Sequence, residues 1–217
     1  MKISGQKSIL SYIKKLGRPI FTTFELAAIS GKSLSTTTQA LNYLQRQGII
    51  FKIYRGIWGE LDSSISGYPV IPFLFPRSRA YVSFVSALHL QGIIEQIPRV
   101  ITVASTIHTK TIKTSISTYV VHHITPSFFD GFTWYKGKES FLIAEPEKAL
   151  VDCLYLSARR KKQFTHFPEL YFSKSFSFAK AEKWVKKIND LKIRTHVQKK
   201  LNEIKVLAKA YEREKKK

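Results

Sequence analysis

Six polar or basic residues between positions 35 and 46 have the side-chain types that bond base edges and phosphates of nucleic acids. Gln and Asn can each bind adenine through two hydrogen bonds, Arg can bind guanine in the same way, and Thr can contact a thymine methyl. The six are Ser35, Thr36, Gln39, Asn42, Tyr43 and Arg46. They occupy one face of a predicted helix whose other face carries Leu34, Leu41 and Leu44. A solvated helix face can show the same stripe, so the neighbouring elements must decide between the two interpretations.

The segments around this helix favour contact with DNA. We predict a first helix over residues 7–16, a second that begins at 23, and a third, carrying the polar face, over 34–47. Gly31 suits a left-handed turn between the second and third helices. Two helices joined by so tight a turn are typical of a helix-turn-helix, which places its second helix in the major groove.

The start of the second helix has its own signal. Thr22 and Glu25 have the spacing of a capping box, in which each side chain bonds the backbone N–H of the other residue. Leu26, Ala27 and Ile29 are expected to form the apolar face of this helix. The chain therefore has local reasons to begin a helix at this point.

A short hairpin is predicted directly after the third helix. Residues 49–54 resemble a strand, Arg55 and Gly56 a tight turn, and residues 57–58 a returning strand. Such a wing presents Lys52 and Arg55 to the minor groove or the DNA backbone. Arg55 can also be read simply as an exposed turn residue. With the three helices, the hairpin predicts a winged helix-turn-helix DNA-binding domain over residues 1–61.

The charge of the chain favours a polyanionic partner. Its 217 residues include 36 Lys and Arg against 15 Asp and Glu, a net charge of +21 and a pI near 10.0. Residues 1–61 carry +7, residues 62–157 carry +1, and residues 158–217 carry +13. No apolar run reaches the ~18 residues of a membrane span. The lone Cys153 suits a reducing compartment, so we expect a cytoplasmic protein without a membrane partner.

A Ser/Gly-rich hinge at residues 63–67 separates the first domain from a second domain over residues 68–217. Helices and strands alternate there, so the expected fold class is α+β: a winged helix-turn-helix, then a mixed α/β domain with a basic helical tail. The predicted helices cover residues 78–92 and 146–156, and the predicted strands cover 100–104, 117–124, 132–135 and 140–144.

No set of residues predicts catalysis or a cofactor. The histidines and the single cysteine lack metal-ligand spacing, and residues 31–33 resemble a phosphate-binding loop without its earlier glycine. Glu145, Glu147 and Asp152 could suggest a nuclease metal centre. We expect Glu147 and Lys148 instead at the surface start of a helix, and Asp152 as a hydrogen-bonded anchor. We therefore predict no catalytic residue, no metal site and no cofactor.

Two segments of the second domain leave alternatives open. The aromatic run at 128–135 can belong to the core or to a partner surface. A basic run begins at 159–162, and two helices are expected near 183–187 and over 192–211. One face of the last helix should pack through Ile193, Val197, Leu201, Ile204 and either Leu207 or Ala208. The net charge of +13 on residues 158–217 fits either a second nucleic-acid surface or a solvated helix face.

Three segments together resemble the AbiEi family of antitoxins and transcriptional regulators from type IV abortive-infection toxin–antitoxin systems. They are the RGIW turn at 55–58, YVSFVSALHLQGIIEQIPRVITVAS at 81–105 and AEPEKALVDCLYL at 144–156. The resemblance covers roughly residues 6–160. The helix-turn-helix alone is generic, whereas its combination with the two later segments is more specific.

The resemblance implies a protein with two roles. The first domain would bind inverted repeats in its operon's promoter and repress transcription. The second would act as the antitoxin against a nucleotidyltransferase toxin, without needing a tight, stable complex. Two alternatives remain: a nuclease-like, nucleic-acid-modifying enzyme targeted by the winged helix, and a stand-alone transcriptional regulator without a toxin partner. The expected partner in either regulatory case is double-stranded DNA, and no enzymatic activity is expected.

Overall fold

In the computed structural model the chain folds into two compact units. The structure describes residues 8–137, 140–159 and 169–214, the last three of these without their side chains. The first unit runs up to Leu74 and includes Lys113–Ser117, and the second contains Phe75–Ile112 and the described residues from Thr118 onward. The first unit thus continues past the predicted hinge at 63–67. No helix in these described ranges is long and apolar enough to cross a membrane.

The first unit contains the three predicted helices and the hairpin. Its elements are α1 (Ile9–Leu16), β1 (Ile20–Thr22), α2 (Thr23–Ser30), α3 (Leu34–Arg46), β2 (Ile50–Tyr54), β3 (Ile57–Glu60) and α4 (Ile71–Leu74). The capping box of Thr22 and Glu25 is confirmed. Gly31 ends α2 at φ 66°, in the left-handed region that glycine adopts without strain. Residue 7, where the first helix was predicted to begin, lies outside the described residues.

A small antiparallel sheet completes this unit. Its strand order is β1-β3-β2, so β3 lies in the middle. The strand β1 was not predicted, because three residues between two helices show no alternating pattern that could be recognised. Phe21 of β1 and Trp58 of β3 are buried in the same core as Leu41 of α3. The sheet therefore fixes the hairpin to the helices.

Two apolar residues lie outside the core where the sequence predicted them inside it. Ile29 is 45% exposed and Leu34 is 53% exposed. They flank the turn between α2 and α3, at the end of one helix and the start of the next. Core contacts are instead made by Leu26 and Leu41 from the interior turns of the two helices.

The second unit is a mixed sheet with helices. Its strands are β4 (Ala80–Val82), β5 (Ile101–Ser105), β6 (Lys110–Lys113), β7 (Thr118–His123), β8 (Phe132–Trp134) and β9 (Leu142–Ala144). Its helices are α5 (Phe84–Leu90), α6 (Pro146–Ser157), α7 (Phe178–Lys186) and α8 (Leu191–Glu214). The strand order is β6-β7-β5-β4-β9-β8. The pairs β4–β9 and β5–β7 are parallel, and β4–β5 and β8–β9 are antiparallel. The expected α+β class is confirmed at this level.

The predicted helix over 78–92 is wrong in its first part. Residues 80–82 form the strand β4, and only Phe84–Leu90 are helical. Phe84 has a φ of 58°, which a bulky side chain seldom adopts. This sharp turn lets the chain leave the sheet and enter α5 directly. A short apolar run fits a buried strand as well as a helix, so periodicity could not separate the two.

The C-terminal helices confirm most of the expected packing. Val197 and Leu201 of α8 are fully buried, as predicted. Of the two alternatives at the end of this face, Ala208 is half-buried and Leu207 is 69% exposed. In the aromatic segment Phe128 is buried and Trp134 is largely exposed, so that segment contributes to the core and to the surface. Residues 160–162 of the basic run at 159–162 lie outside the described residues.

Candidate nucleic-acid interface

The α3 helix separates its side chains into a buried face and an exposed face. Thr37, Leu41 and Leu44 are buried against the core. The six residues singled out in the sequence all lie on the exposed face: Ser35, Thr36, Gln39, Asn42, Tyr43 and Arg46. The structure therefore brings the predicted groups together on one side of a single helix.

The second half of this face forms a shallow depression. This depression has a volume of about 620 Å³ and is lined by Gln39, Asn42 and Arg46. Its fourth lining residue, Gln45, was not among the residues predicted from the sequence. Gln45 lies three residues after Asn42, and that helical spacing could have identified it. Across the described part of the chain, these four side chains make no hydrogen bond. Their donors and acceptors are free to bind a ligand.

The first turn of α3 is already capped. The Ser33 hydroxyl accepts a hydrogen bond from the backbone N–H of Thr36 at 3.0 Å, and the two hydroxyls lie 2.8 Å apart. This cap stabilises the start of the helix. The Thr36 hydroxyl therefore has an intramolecular partner, whereas its methyl group remains available for apolar contact.

The hairpin presents two cations. Lys52 of β2 and Arg55 of the turn are exposed, and Gly56 completes the turn at φ 71°. The Lys52 ammonium lies 5.5 Å from the centre of the Trp58 ring, close enough for a cation–π interaction. The two predicted wing residues are thus exposed on a hairpin anchored by buried Trp58.

The outer edge of β2 has a partner that the sequence analysis missed. Ser115, which belongs to the first unit, donates its backbone N–H to the Ile53 carbonyl at 3.1 Å and its hydroxyl to the Lys52 carbonyl at 3.0 Å. An edge strand otherwise leaves these carbonyls unpaired. The contact holds the backbone of the hairpin, and its 62-residue separation in sequence leaves no local signal.

The acidic residue of α2 is neutralised within the unit. Glu25 accepts hydrogen bonds from the Arg18 guanidinium and from the backbone N–H of Thr22, the latter at 2.9 Å. Burial raises the pKa of Glu25, but the bonds from Arg18 and Thr22 outweigh it and lower this pKa overall. The carboxylate is therefore charged near neutral pH and paired with a cation. It adds little repulsion toward an anionic ligand.

The second unit holds a different set of charged groups, and here the surface prediction for Lys148 and Glu147 is wrong. Both residues are buried on α6, Lys148 completely. Lys148 forms an ion pair with Asp152 one turn later and donates to the Tyr81 hydroxyl at 3.1 Å. Its ammonium lies 3.9 Å from the centre of the Phe128 ring. The other elements of the fold cover α6 on all sides. The charged residues in its first turn are therefore buried, although charge at a helix start usually indicates exposure.

Asp152 is the anchor that the sequence analysis expected. It accepts hydrogen bonds from the Tyr81 hydroxyl at 3.1 Å and the Ser83 hydroxyl at 2.7 Å, in addition to its contact with Lys148. Burial has the largest effect on the pKa values of Lys148 and Asp152. It raises the pKa of Asp152 and lowers the pKa of Lys148, while the contact between the two groups opposes both shifts. The cluster joins β4 to α6.

Glu147 joins α6 to α7. One of its carboxylate oxygens accepts the backbone N–H of Ser177 at 2.9 Å, and the other lies 3.6 Å from the Lys180 ammonium. Ser177 is the residue that caps α7, so this carboxylate lies at the positive end of that helix. In the described ranges, no group of three or more His, Cys, Asp or Glu side chains could hold a metal ion.

His122 and His123 are adjacent on β7, so their side chains lie on opposite faces of the strand. His122 is buried and His123 is partly exposed. Cys153 is buried, and burial raises the pKa of its thiol well above the ordinary value. The thiol is therefore protonated at neutral pH and poorly suited to act as a nucleophile.

No protein-family model matches the chain. No curated protein matches it either.

Proposed function

We propose that the first unit binds double-stranded DNA sequence-specifically, with α3 in the major groove and the β2–β3 hairpin as a wing. The observation that carries this proposal is the exposed α3 face, where side chains suited to base recognition lie opposite a fully packed core face. The order helix, turn, helix, hairpin is that of a winged helix-turn-helix. In this arrangement Gln39, Asn42 and Arg46 contact base edges.

Charge supports the same surface. Residues 26–59 contain four basic residues and no acidic residue. Two of the basic residues, Lys52 and Arg55, lie on the hairpin, where they would neutralise phosphates or enter the minor groove. If about six phosphates are neutralised, affinity falls by roughly three decades between 50 and 200 mM salt.

We further propose that the chain is a transcriptional autorepressor and the antitoxin of a type IV toxin–antitoxin system. The support is the resemblance of residues 55–58, 81–105 and 144–156 to the AbiEi family. The DNA target is then the inverted repeats of its own promoter. The counteracted toxin is a nucleotidyltransferase encoded by the neighbouring gene.

A gel-shift assay with the upstream promoter fragment tests the DNA-binding role. Wild-type protein should retain the fragment in the presence of excess unrelated duplex, because base contacts add specificity to phosphate contacts. A Gln39→Ala, Tyr43→Ala, Arg46→Ala variant should lose this preference. A Lys192→Ala variant, which removes an exposed cation from α8, controls for lost charge. Unaltered operator binding by the triple variant would refute the assignment of α3.

Co-expression with the neighbouring gene tests the antitoxin role separately. The triple α3 variant should rescue cells from the nucleotidyltransferase as well as wild-type protein does, when both are expressed from a foreign promoter. Equal growth inhibition with and without the full-length wild-type chain would reject the antitoxin role. That result would leave the DNA-binding proposal intact and favour a stand-alone regulator.

A further inference from the structure

The outer face of α8 exposes apolar side chains that the fold of the second unit does not need. Val206 is 67% exposed and Leu207 is 69% exposed, while Val197 and Leu201 of the same helix are fully buried. The buried pair already provides the core contact of α8. Two adjacent, largely exposed aliphatic residues on a helix form an apolar spot open to solvent.

This spot continues into a groove between α7 and α8. The groove has a volume of about 1050 Å³ and is lined by buried Val185 of α7, by Val206 and Leu207 of α8, and by polar and charged residues of both helices. Arg194, at the other end of the lining on α8, is 13 residues before Leu207. At 1.5 Å per residue the groove is therefore about 20 Å long, which matches a helix of roughly 14 residues.

Cations surround the apolar lining. Lys186, Arg194 and Lys199 line the groove, and in the part of the chain that the structure describes none of them forms an ion pair. One carboxylate, Glu203, also lines the groove and is paired with Lys200 at 2.8 Å. Glu182, a neighbouring carboxylate of α7, is paired with Lys205 at 2.7 Å. Three cations and one carboxylate therefore line the groove, which leaves its rim with a net positive charge.

We propose that this groove docks an acidic amphipathic helix of a partner protein. An apolar stripe on that helix would cover Val206 and Leu207, and its flanking carboxylates would face Lys186, Arg194 and Lys199, which is the helix-in-groove mode of recognition. A nucleic acid would match the cations but leave the aliphatic side chains exposed. Docking at this groove does not depend on DNA binding by α3.

A synthetic peptide provides the probe. Fluorescence anisotropy with the full-length protein compares three labelled 18-residue peptides: a Leu/Glu amphipathic helix, a scrambled peptide of the same composition, and the Leu/Lys counterpart of the first. The amphipathic acidic peptide should bind at least about tenfold more tightly than either of the others, because only it matches both the apolar stripe and the rim. Equal binding of the scrambled acidic peptide would reduce the interaction to net charge and overturn the proposal.

Two variants locate the binding surface. Val206→Ser with Leu207→Ser, and separately Arg194→Glu with Lys199→Glu, should each weaken the acidic amphipathic peptide by at least about tenfold. All four positions lie on the groove lining, and the first pair is largely exposed, so its replacement leaves the core intact. Lys209→Glu, on the exposed surface of α8 outside the groove, should have less than about a threefold effect. If Lys209→Glu weakens peptide binding as much as the groove variants do, the assignment of the groove as the binding surface is overturned.

Competition with DNA completes the test. An unrelated 20-base-pair duplex should not displace the peptide at concentrations that saturate the DNA-binding surface. If the duplex displaces the peptide from the wild-type protein but not from the variant with Arg194→Glu and Lys199→Glu, the groove is a nucleic-acid surface. That result would overturn the proposal. Both groove variants should retain the promoter fragment in gel shifts, so a failure here is distinguishable from a failure of the α3 assignment.

Discussion

The exposed face of α3 and the buried cluster of α6 use similar residue types in opposite ways. On α3, Gln39, Asn42 and Arg46 face solvent, and their side chains make no hydrogen bond in the described ranges. On α6, Lys148 and Asp152 are fully buried, and both bond to each other and to Tyr81. Polar groups satisfied within the protein serve its stability, whereas exposed groups without partners are available for a ligand. Substitutions should therefore affect folding in one region and binding in the other.

The largest effect is expected at the buried cluster. Lys148→Ala leaves the Asp152 carboxylate buried without its cation and should lower the free energy of unfolding by about 3–5 kcal/mol. Urea denaturation followed by circular dichroism measures the change. Lys187→Ala is the matched control, because Lys187 pairs with Asp130 at the surface and should contribute at most about 1 kcal/mol. Equal losses from the two variants would show that burial does not distinguish the pairs.

Arg46→Ala should show the opposite behaviour. Loss of one bidentate base contact should weaken operator binding by about 1–3 kcal/mol, while the free energy of unfolding changes by less than about 0.5 kcal/mol. Fluorescence anisotropy with operator and scrambled duplexes measures the first quantity, and urea denaturation measures the second. Arg77→Ala removes an exposed arginine from the second unit and should change neither. A large loss of stability in Arg46→Ala would mean that the polar side chains of α3 stabilise the fold, as those of α6 do.

Lys52→Ala should separate contact with the DNA backbone from contact with the bases in the proposed complex of the first unit. A lysine that neutralises one phosphate contributes equally to all duplexes, so affinity for operator and unrelated DNA should fall together, by about fivefold at 0.15 M salt. The slope of log affinity against log salt should also decrease by about one. Titrations at four salt concentrations measure both effects. A fall confined to the operator duplex would assign Lys52 to base recognition instead.

The smallest effect concerns the pH dependence of the first unit. The folded state lowers the pKa of Glu25 below its ordinary value, so its charge stabilises the protein above that value and the contribution is lost as pH falls through the lowered pKa. Glu25→Gln should therefore be less stable than wild type by under about 1 kcal/mol at pH 7, because the contact with Arg18 is partly exposed. The two urea midpoints should converge as the pH falls through the lowered pKa of Glu25. A constant difference from pH 7 to pH 3 would contradict a role for the charge.

Local signals predicted the α3 face well because each depends on nearby residues. Thr22 and Glu25 cap α2, Gly31 has the left-handed conformation, and the 3.6-residue period places Leu41 and Leu44 in the core. The period fails at Leu34, which lies in the first turn of its helix beside the turn from α2. A residue at a helix end keeps the right angular position but can lie beyond the surface against which the helix packs.

The buried cluster could not be predicted in the same way. Tyr81 lies 67 residues before Lys148, and the hydrogen bond between them exists because β4 and α6 meet in the folded protein. The charge of Lys148 suggested exposure, which is the usual outcome for lysine. Burial became possible only because Asp152, Tyr81 and the Phe128 ring supply an anion, a hydroxyl and an aromatic face at the same point.

By itself, the sequence determined which residues form the exposed face of α3, the capping of its helices and the excess of positive charge, because helical period, caps and composition are local properties. The tertiary structure alone decided that Lys148 is buried, that Ser115 holds the edge of β2, and that Val206 and Leu207 remain exposed. These outcomes depend on which distant segments cover a residue. No short window of sequence contains that information.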